Sequence, residues 1–575
     1  MLVGKLDLNP AKNPAILDTA TWEPARAWEW IQSLDEAYWS SLQEAAASGT
    51  ALPARGGLTL FAASCVRHQG ALYCLAGLPD GQQVLLQVGD VQTESVLGKA
   101  FGGKPLSSGG QVALHKTDAS VIDHFFRFIK PEKGPQALGA VPRLGIGTRM
   151  TTAVWPGIWR AMAQGHFAAN SIQNSVRELN LLENLVAARP AEKNIAFNFG
   201  TIETGYTGST FEGLWVAGAL DALKSDKARR YGADADHIQV KRGADGLARA
   251  RRLIEATRYY SFFTLDVSDV LNYGALAEKG RATAEAYLDE ILTLDQRKAM
   301  QAYHQRPRLV SGQAYLLDNA TLGRLVGKHW NALNAVEELC SHIGHLKDGM
   351  PFDLELSIDE HPPEVATFDC LTTETELLFL LLEMQRRGIP LTHVAPNLGI
   401  EKGTDYSCPD GLEGLEARTR SLSDITEEMG VMLDVHSGDD LSAATRHVIR
   451  RGTGGRNHFK ISPVLQLLFA DVLADHHPEL FRRWWNDALA YARREAGAGS
   501  AFAAECIRQC EEMGGLVPSA HDGVFHHFSF AFVGRRDAEG QYLYREEFYD
   551  LSPDFYQAYQ DRVVQHLCGL AAELF

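Results

Sequence analysis

Eight short apolar runs, separated by longer stretches of helical periodicity, govern what this chain of 575 residues can fold into. They are RLGIGT (Arg143 to Thr148), FAANSI (Phe167 to Ile172), GADADHI (Gly232 to Ile238), FFTLDV (Phe262 to Val267), FDLELSID (Phe352 to Asp359), LTHVAPNL (Leu391 to Leu398), GVMLDVHS (Gly430 to Ser437) and NHFKIS (Asn457 to Ser462). Strand-length runs alternating with helices read as parallel βα units, and eight of them close a (β/α)8 barrel of the TIM type. Thr372 to Arg387, ended by Gly388, and Glu413 to Met429 are candidate barrel helices. Wide gaps between the second and third runs and between the fourth and fifth carry helical patterns, which predicts helical insertions there.

The barrel accounts for residues 141–475, leaving 1–140 as an N-terminal α/β appendage and 476–575 as a mostly helical C-terminal extension. The appendage has helical patterning around Trp22 to Leu42, then strand-like runs at Leu58 to Cys65, Ala71 to Gly77 and Gln83 to Val88. Phe101 to Gln111 reads as a loop, its GGK lacking the spacing of a phosphate-binding loop. From Pro463 onward the chain is mostly helical, at Leu465 to Leu473 within the barrel region and at Pro478 to Glu495 and Ala501 to Met513 in the extension, where VFHHFSFAFVG alternates like a strand.

A net charge of −17 without any basic block argues against nucleic acid and anionic membranes as partners and leaves small molecules, with a homo-oligomer compatible. The eight cysteines include no CxxC pair, so neither a zinc cluster nor a dense disulfide framework is indicated. The opening MLVGKLDLNPAKN has no apolar signal-peptide core, and the most apolar run, Leu377 to Leu382, is too short for a bilayer. These features predict a cytoplasmic protein. RRGTGGRN (Arg450 to Asn457) leads into a strand rather than out of one, so it is no dinucleotide fingerprint.

Four strands end in ionisable clusters. Strand alternation places Asp234 with Asp236, next to His237; Asp266 ends the fourth run; Glu355, Ser357 and Asp359 share a face; so do Asp434 and His436. Inward faces of a barrel converge, and carboxylates brought so close need a cation or a proton between them. Imidazole and carboxylate suit a divalent metal such as Zn, Mn, Ni or Co, with His237 and His436 the candidate ligands and His393 or Asn397 as weaker candidates for a third. His526 and His527 lie in an aromatic run and read as packing or surface residues. Arg149, Arg177, Lys241, Arg242, Lys402 and Lys460 lie near strand ends, where an arginine can grip a substrate carboxylate.

Several of these strings resemble the tagaturonate/fructuronate epimerase family: RLGIGTRMTT (143–152), QNSVRE (173–178), YGADADHI (231–238), FTLDVSD (263–269), FDLELSIDE (352–360), IEKGTDY (400–406) and LDVHSGDD (433–440). The resemblance implies a metal-dependent epimerisation of keto-sugar acids such as D-tagaturonate and D-fructuronate. It implies His237 and His436 as metal ligands, Asp236 and Glu355 as the acid/base pair, and Asp434 as an orienting group. Arg149, Gln173, Asn174, Arg177, Lys402 and Lys460 would bind substrate. The two sugars differ one carbon beyond the carbon next to the ketone, where enolisation cannot act, so a retro-aldol and aldol sequence is expected. A metal-dependent aldose/ketose isomerase or related ketose (phosphate) epimerase is the alternative enzyme, and a sugar-binding protein on the same scaffold the non-enzyme one.

Overall fold

All eight runs are strands, and they close on themselves in chain order. The computed structural model describes residues 2–575 except 19, 20, 22, 51, 54–56, 91–95, 108, 151, 152, 197–199, 279, 362–364, 513 and 514. Trp22, Thr151, Thr152 and Met513, at the ends of segments named above, therefore lie outside the described residues. The barrel strands are β1 (Arg143–Gly147), β2 (Ala168–Ser175), β3 (Tyr231–Gln239), β4 (Phe262–Asp266), β5 (Asp353–Ser357), β6 (His393–Ala395), β7 (Met432–Val435) and β8 (His458–Ile461). All pair in parallel, and β8 returns to β1 through Lys460 opposite Gly145.

Alternation sorts each strand into two environments. Leu144, Ile146, Leu354, Leu356, Leu433 and Val435 point outward into the main apolar core beneath the helices. Asp234, Thr264, Glu355, Asp434 and His458 are fully buried and polar, so polar side chains share the barrel interior with the ring of Phe262. At the amino ends of the strands, fully buried Arg143 spans the barrel to Asp353 at 3.0 Å, a contact that pins β1 to β5.

Two bulges break the alternation. The β2–β3 register slips between Asn170 and Ile172, and the β3–β4 register slips between Ala235 and Ile238. In the second, His237 takes a positive φ of 56°, unusual for a residue with a Cβ. A regular strand would send neighbouring Asp236 and His237 to opposite faces; the extra residue turns both toward the barrel mouth.

The helices largely follow the sequence. Glu374–Arg386 is capped by Thr373, whose side chain accepts from the Glu376 N–H, and Gly388 beyond it has a φ of 69°. The other barrel helix spans Gly411–Glu428. The gap between β4 and β5 is mainly helical, ending in the 29-residue helix Asn319–Lys347. The gap between β2 and β3 differs from expectation: besides helix Phe211–Lys224 it carries a hairpin, Lys193–Ala196 with Gly200–Glu203.

In the appendage, an antiparallel sheet holds Leu72, Leu86 and Val88 against Ile31, Trp39 and Leu42 of helices Ala25–Ser33 and Glu36–Ser48, while Tyr73, Leu75 and Leu85 on its other face join the main core. Phe101 to Gln111 is not all loop: Gly102–Pro105 is an edge strand, and Gly102 permits it because a Cβ there would stand 2.5 Å from the Trp28 ring. Leu58 to Cys65 is mostly not strand, since Thr59–Leu60 gives way to the 3-10 turn Ala62–Ser64. Helix Pro463–His476 closes the barrel region, and the extension forms helices Pro478–Gly497, Ala501–Glu512 and Pro553–Leu574. Its alternating run begins with a helix, Gly523–Phe528, because Asp522 caps it and the buried Val524, Phe525 and Phe528 also satisfy helical spacing. Among the described residues, no helix is long and apolar enough to cross a membrane.

Candidate active site

A cavity of about 180 Å³ opens at the carboxyl ends of the strands. Of the ten residues singled out from sequence for chemistry, nine line it: Asp236, His237 and His436, with Arg149, Gln173, Asn174, Arg177, Lys402 and Lys460. Glu355, the tenth, lies one layer below the cavity lining, fully buried beneath His436 and Lys460.

The floor is organised by Lys460. Its ammonium stands 2.6 Å from Glu355, 2.8 Å from Asp236 and 3.3 Å from Asp234, and donates to Thr264 Oγ1 at 2.9 Å. Burial opposes its charge, but the acids outweigh burial and hold its pKa well above the ordinary lysine value. Burial likewise opposes ionisation of Asp236 and Glu355, and Lys460 overrides it, keeping Asp236 below and Glu355 well below the ordinary range. Asp234 goes the other way, raised to about 7 by burial and by Asp236 and Glu355 against the pull of Lys460. Lys460, expected to bind substrate, lines the cavity and is at the same time the counter-ion of the acids.

Above this floor the two histidine rings meet edge to face with centroids 4.9 Å apart. Each has one nitrogen on a carboxylate: His237 Nδ1 lies 3.3 Å from Asp266 Oδ2, and His436 Nε2 lies 2.6 Å from Glu355 Oε1. The other nitrogens face acids at longer range, with His237 Nε2 3.9 Å from Asp236 and His436 Nδ1 3.2 Å from Asp359. Among the described residues, His436 Nδ1 is buried without an aligned hydrogen bond. Burial would lower His436, but Asp359 and Glu355 raise it to about 10, and Asp236 and Asp266 raise His237 against the same opposition. Two imidazoles, each oriented by a carboxylate and each with a second nitrogen beside further acids, fit a divalent cation. Asp266 and Glu360 converge on His237, and Glu355 and Asp434 on His436, as groups able to hold one.

The weaker candidates fall elsewhere. His393 lies apart from His237 and His436, in a separate group with Asp434 and His458 that could hold a metal, and its Nδ1 is on Thr392. Asn397 donates to Cys370 Sγ. Asp434 bonds His458 Nδ1 at 2.8 Å in the layer beneath. Lys241 and Arg242 are not among the cavity residues, and Arg242 is tied to Asp269.

The walls carry recognition groups. Gln173 Oε1 and Asn174 Nδ2 are buried without hydrogen-bond partners among the described residues, one an acceptor and one a donor, while Asn174 Oδ1 accepts from Thr148 N. Arg149 pairs with Glu178 at 2.9 Å, and Glu360 receives both Arg177 at 3.2 Å and Lys402 at 2.7 Å. Glu178 and Glu360 stood inside the quoted strings QNSVRE and FDLELSIDE, but spacing gave them no role. Tyr206, from the β2–β3 insertion, and Phe530, from the alternating run of the extension, also line the wall, and spacing gave neither a role there. His526 and His527 also line the cavity, contrary to expectation; His526 lies 3.1 Å from Asp440, and the neighbouring turn brings Gly403 onto the His527 ring.

Fold and site together define a parallel-barrel enzyme that gathers acids, imidazoles and arginines around a cavity at its strand ends. The chain belongs to the tagaturonate epimerase family, whose model matches residues 63–570, and so to the carbohydrate epimerases, an isomerase class. Among solved structures it is similar to a fructuronate-tagaturonate epimerase, UxaE, from Cohnella laeviribosi. A form with one glycerol is 21% identical over 93% of this chain and 99% of that one, with a TM-score of 0.63. The native form is 20% identical over 94% and 99%, also with a TM-score of 0.63. No curated protein matches the chain.

Proposed function

We propose that this protein is a metal-dependent epimerase interconverting keto-hexuronates such as D-tagaturonate and D-fructuronate by retro-aldol cleavage and re-addition. The observation that carries this reading is the layering of the site: two imidazoles stand over carboxylates kept ionised by one buried ammonium, with arginines on the wall above.

The metal, of the Zn, Mn, Ni or Co type, would be held by His237 and His436, each oriented by a carboxylate, Asp266 and Glu355. When bound it supplies Lewis-acid polarisation of the ketone. Asp236, the cavity-facing acid not committed to orienting a histidine, takes the proton from the hydroxyl on the carbon to be inverted. The bond between that carbon and its neighbour breaks, its electrons pass toward the ketone oxygen, and an aldehyde is left. The aldehyde turns, the bond re-forms on its other face, and the proton returns. Glu355 is expected to serve that other face, and its contribution runs through His436 and Lys460, the cavity residues it bonds. Arg149 and Arg177 hold the substrate carboxylate, and Gln173 and Asn174 meet sugar hydroxyls with their open acceptor and donor. The eight cysteines are free thiols, which suits the cytoplasm.

The test is product analysis by NMR of the metal-loaded protein incubated with D-tagaturonate. Accumulation of D-fructuronate with the ketone unmoved is the expected result. Migration of the carbonyl would identify an aldose/ketose isomerase instead.

A further inference from the structure

The barrel alone does not orient Arg149. Its Nε donates to Glu178 Oε1 at 2.9 Å, and the same oxygen accepts the Tyr206 hydroxyl at 2.8 Å. Glu178 is 2% exposed and its second oxygen is buried without a partner among the described residues, so one shared atom ties arginine to tyrosine. The Tyr206 ring also lies 5.8 Å from the guanidinium centre, within cation–π range. Tyr206 belongs to the insertion between β2 and β3, just past strand Gly200–Glu203. It is fixed from the far side by the extension: Phe530 packs edge to face at 4.8 Å, and Gly534 approaches so closely that a Cβ there would stand 2.1 Å from the Tyr206 carbonyl oxygen.

We propose that Tyr206 is a positioning residue for acid recognition: through Glu178 it fixes the plane of Arg149 toward the carboxylate of the sugar acid, making the insertion and the C-terminal extension part of the device that selects uronates over neutral ketoses. This rests on the reading of Arg149 as a carboxylate holder. A flexible arginine loses rotamer freedom on gripping a carboxylate, and one locked beforehand by two partners loses less. The effect therefore falls on binding of the charged end of the substrate rather than on the bond-breaking step.

Tyr206→Phe keeps the ring packing and removes only the hydroxyl. It is expected to raise KM for the uronate roughly fivefold to tenfold, the scale of one hydrogen bond to a charged group, with kcat changed less than about twofold. The Ki of the neutral ketose bearing a hydroxymethyl group in place of the carboxylate, measured as a competitor, should stay the same. In an Arg149→Ala background the Tyr206→Phe effect should vanish, since the hydroxyl acts only through that arginine. An unchanged uronate KM, or an equal loss for both sugars, would overturn the proposal, because a purely structural role would weaken both alike. If Arg149→Ala itself left the uronate KM untouched, the carboxylate-holding role of Arg149 would fall, while the epimerase reading would still stand on the products formed.

Discussion

Lys460 and Glu355 meet at 2.6 Å in the floor of the cavity, both fully or almost fully buried, and the same ammonium reaches Asp236 and Asp234. Replacing Lys460 by Met keeps the length of the side chain and removes its charge, leaving ionised acids in a low-dielectric layer. The variant is expected to lose about 3–5 kcal/mol of stability, as buried pairs do when one partner goes. Chemical denaturation of the metal-free proteins checks it; a loss below about 1 kcal/mol would mean that the acids share protons and do not depend on Lys460.

Asp236 and Glu355 were paired by sequence as equals, but only Asp236 faces the cavity. Asp236→Asn should therefore retain metal and lose turnover by roughly 10²- to 10⁴-fold, the range for a positioned acid/base group. Glu355→Gln should weaken metal retention as well, by about 10- to 100-fold, because Glu355 orients His436 at 2.6 Å. Metal content by elemental analysis beside kcat distinguishes the two, and identical behaviour of both variants would contradict this division of roles.

The difference between these acids marks how far the sequence could be read. Period-two alternation was enough to find all eight strands and to put Glu355, Asp434 and His436 inside the barrel. It could not give depth, and depth is what separates Asp236 at the mouth from Glu355 beneath it. Nor could it foresee the bulge at His237, since a positive φ at a non-glycine residue leaves no mark in a hydrophobic pattern. Lys460 was visible as a strand-end cation, but its partners come from β3 and β5, and such pairings follow from barrel closure rather than from local spacing. Tyr206 and Phe530 are brought to the cavity by an insertion and a terminal extension, whose docking no motif encodes.

Metal removal tests the imidazole pair. Dialysis against a chelator should abolish turnover and lower the thermal midpoint, since a ligand bound only by the folded state stabilises it, and restoring a divalent ion should recover both. His436→Ala should show the chelated behaviour from the start, with no recovery. Full activity in the chelated wild type would remove the metal from the reaction.

Acid stability should depend on a buried cluster away from the site. Glu376 Oε1 accepts from Lys328 Nζ at 2.6 Å and lies 2.7 Å from His329 Nε2, with all three side chains buried. Burial alone would raise the carboxyl, but His329 and Lys328 outweigh it and bring it down to about 2. Because the folded value lies below the ordinary 4.5, the group stabilises the fold at neutral pH, and that contribution fades as pH falls from about 4.5 toward 2. Glu376→Gln cannot titrate there and leaves Lys328 unpaired, so it should be less stable at pH 7 by about 3–5 kcal/mol and converge on the wild type in acid. Thermal midpoints recorded from pH 7 down to the acid limit of folding check this: a constant gap between the two proteins across that range would show that Glu376 does not carry the acid sensitivity.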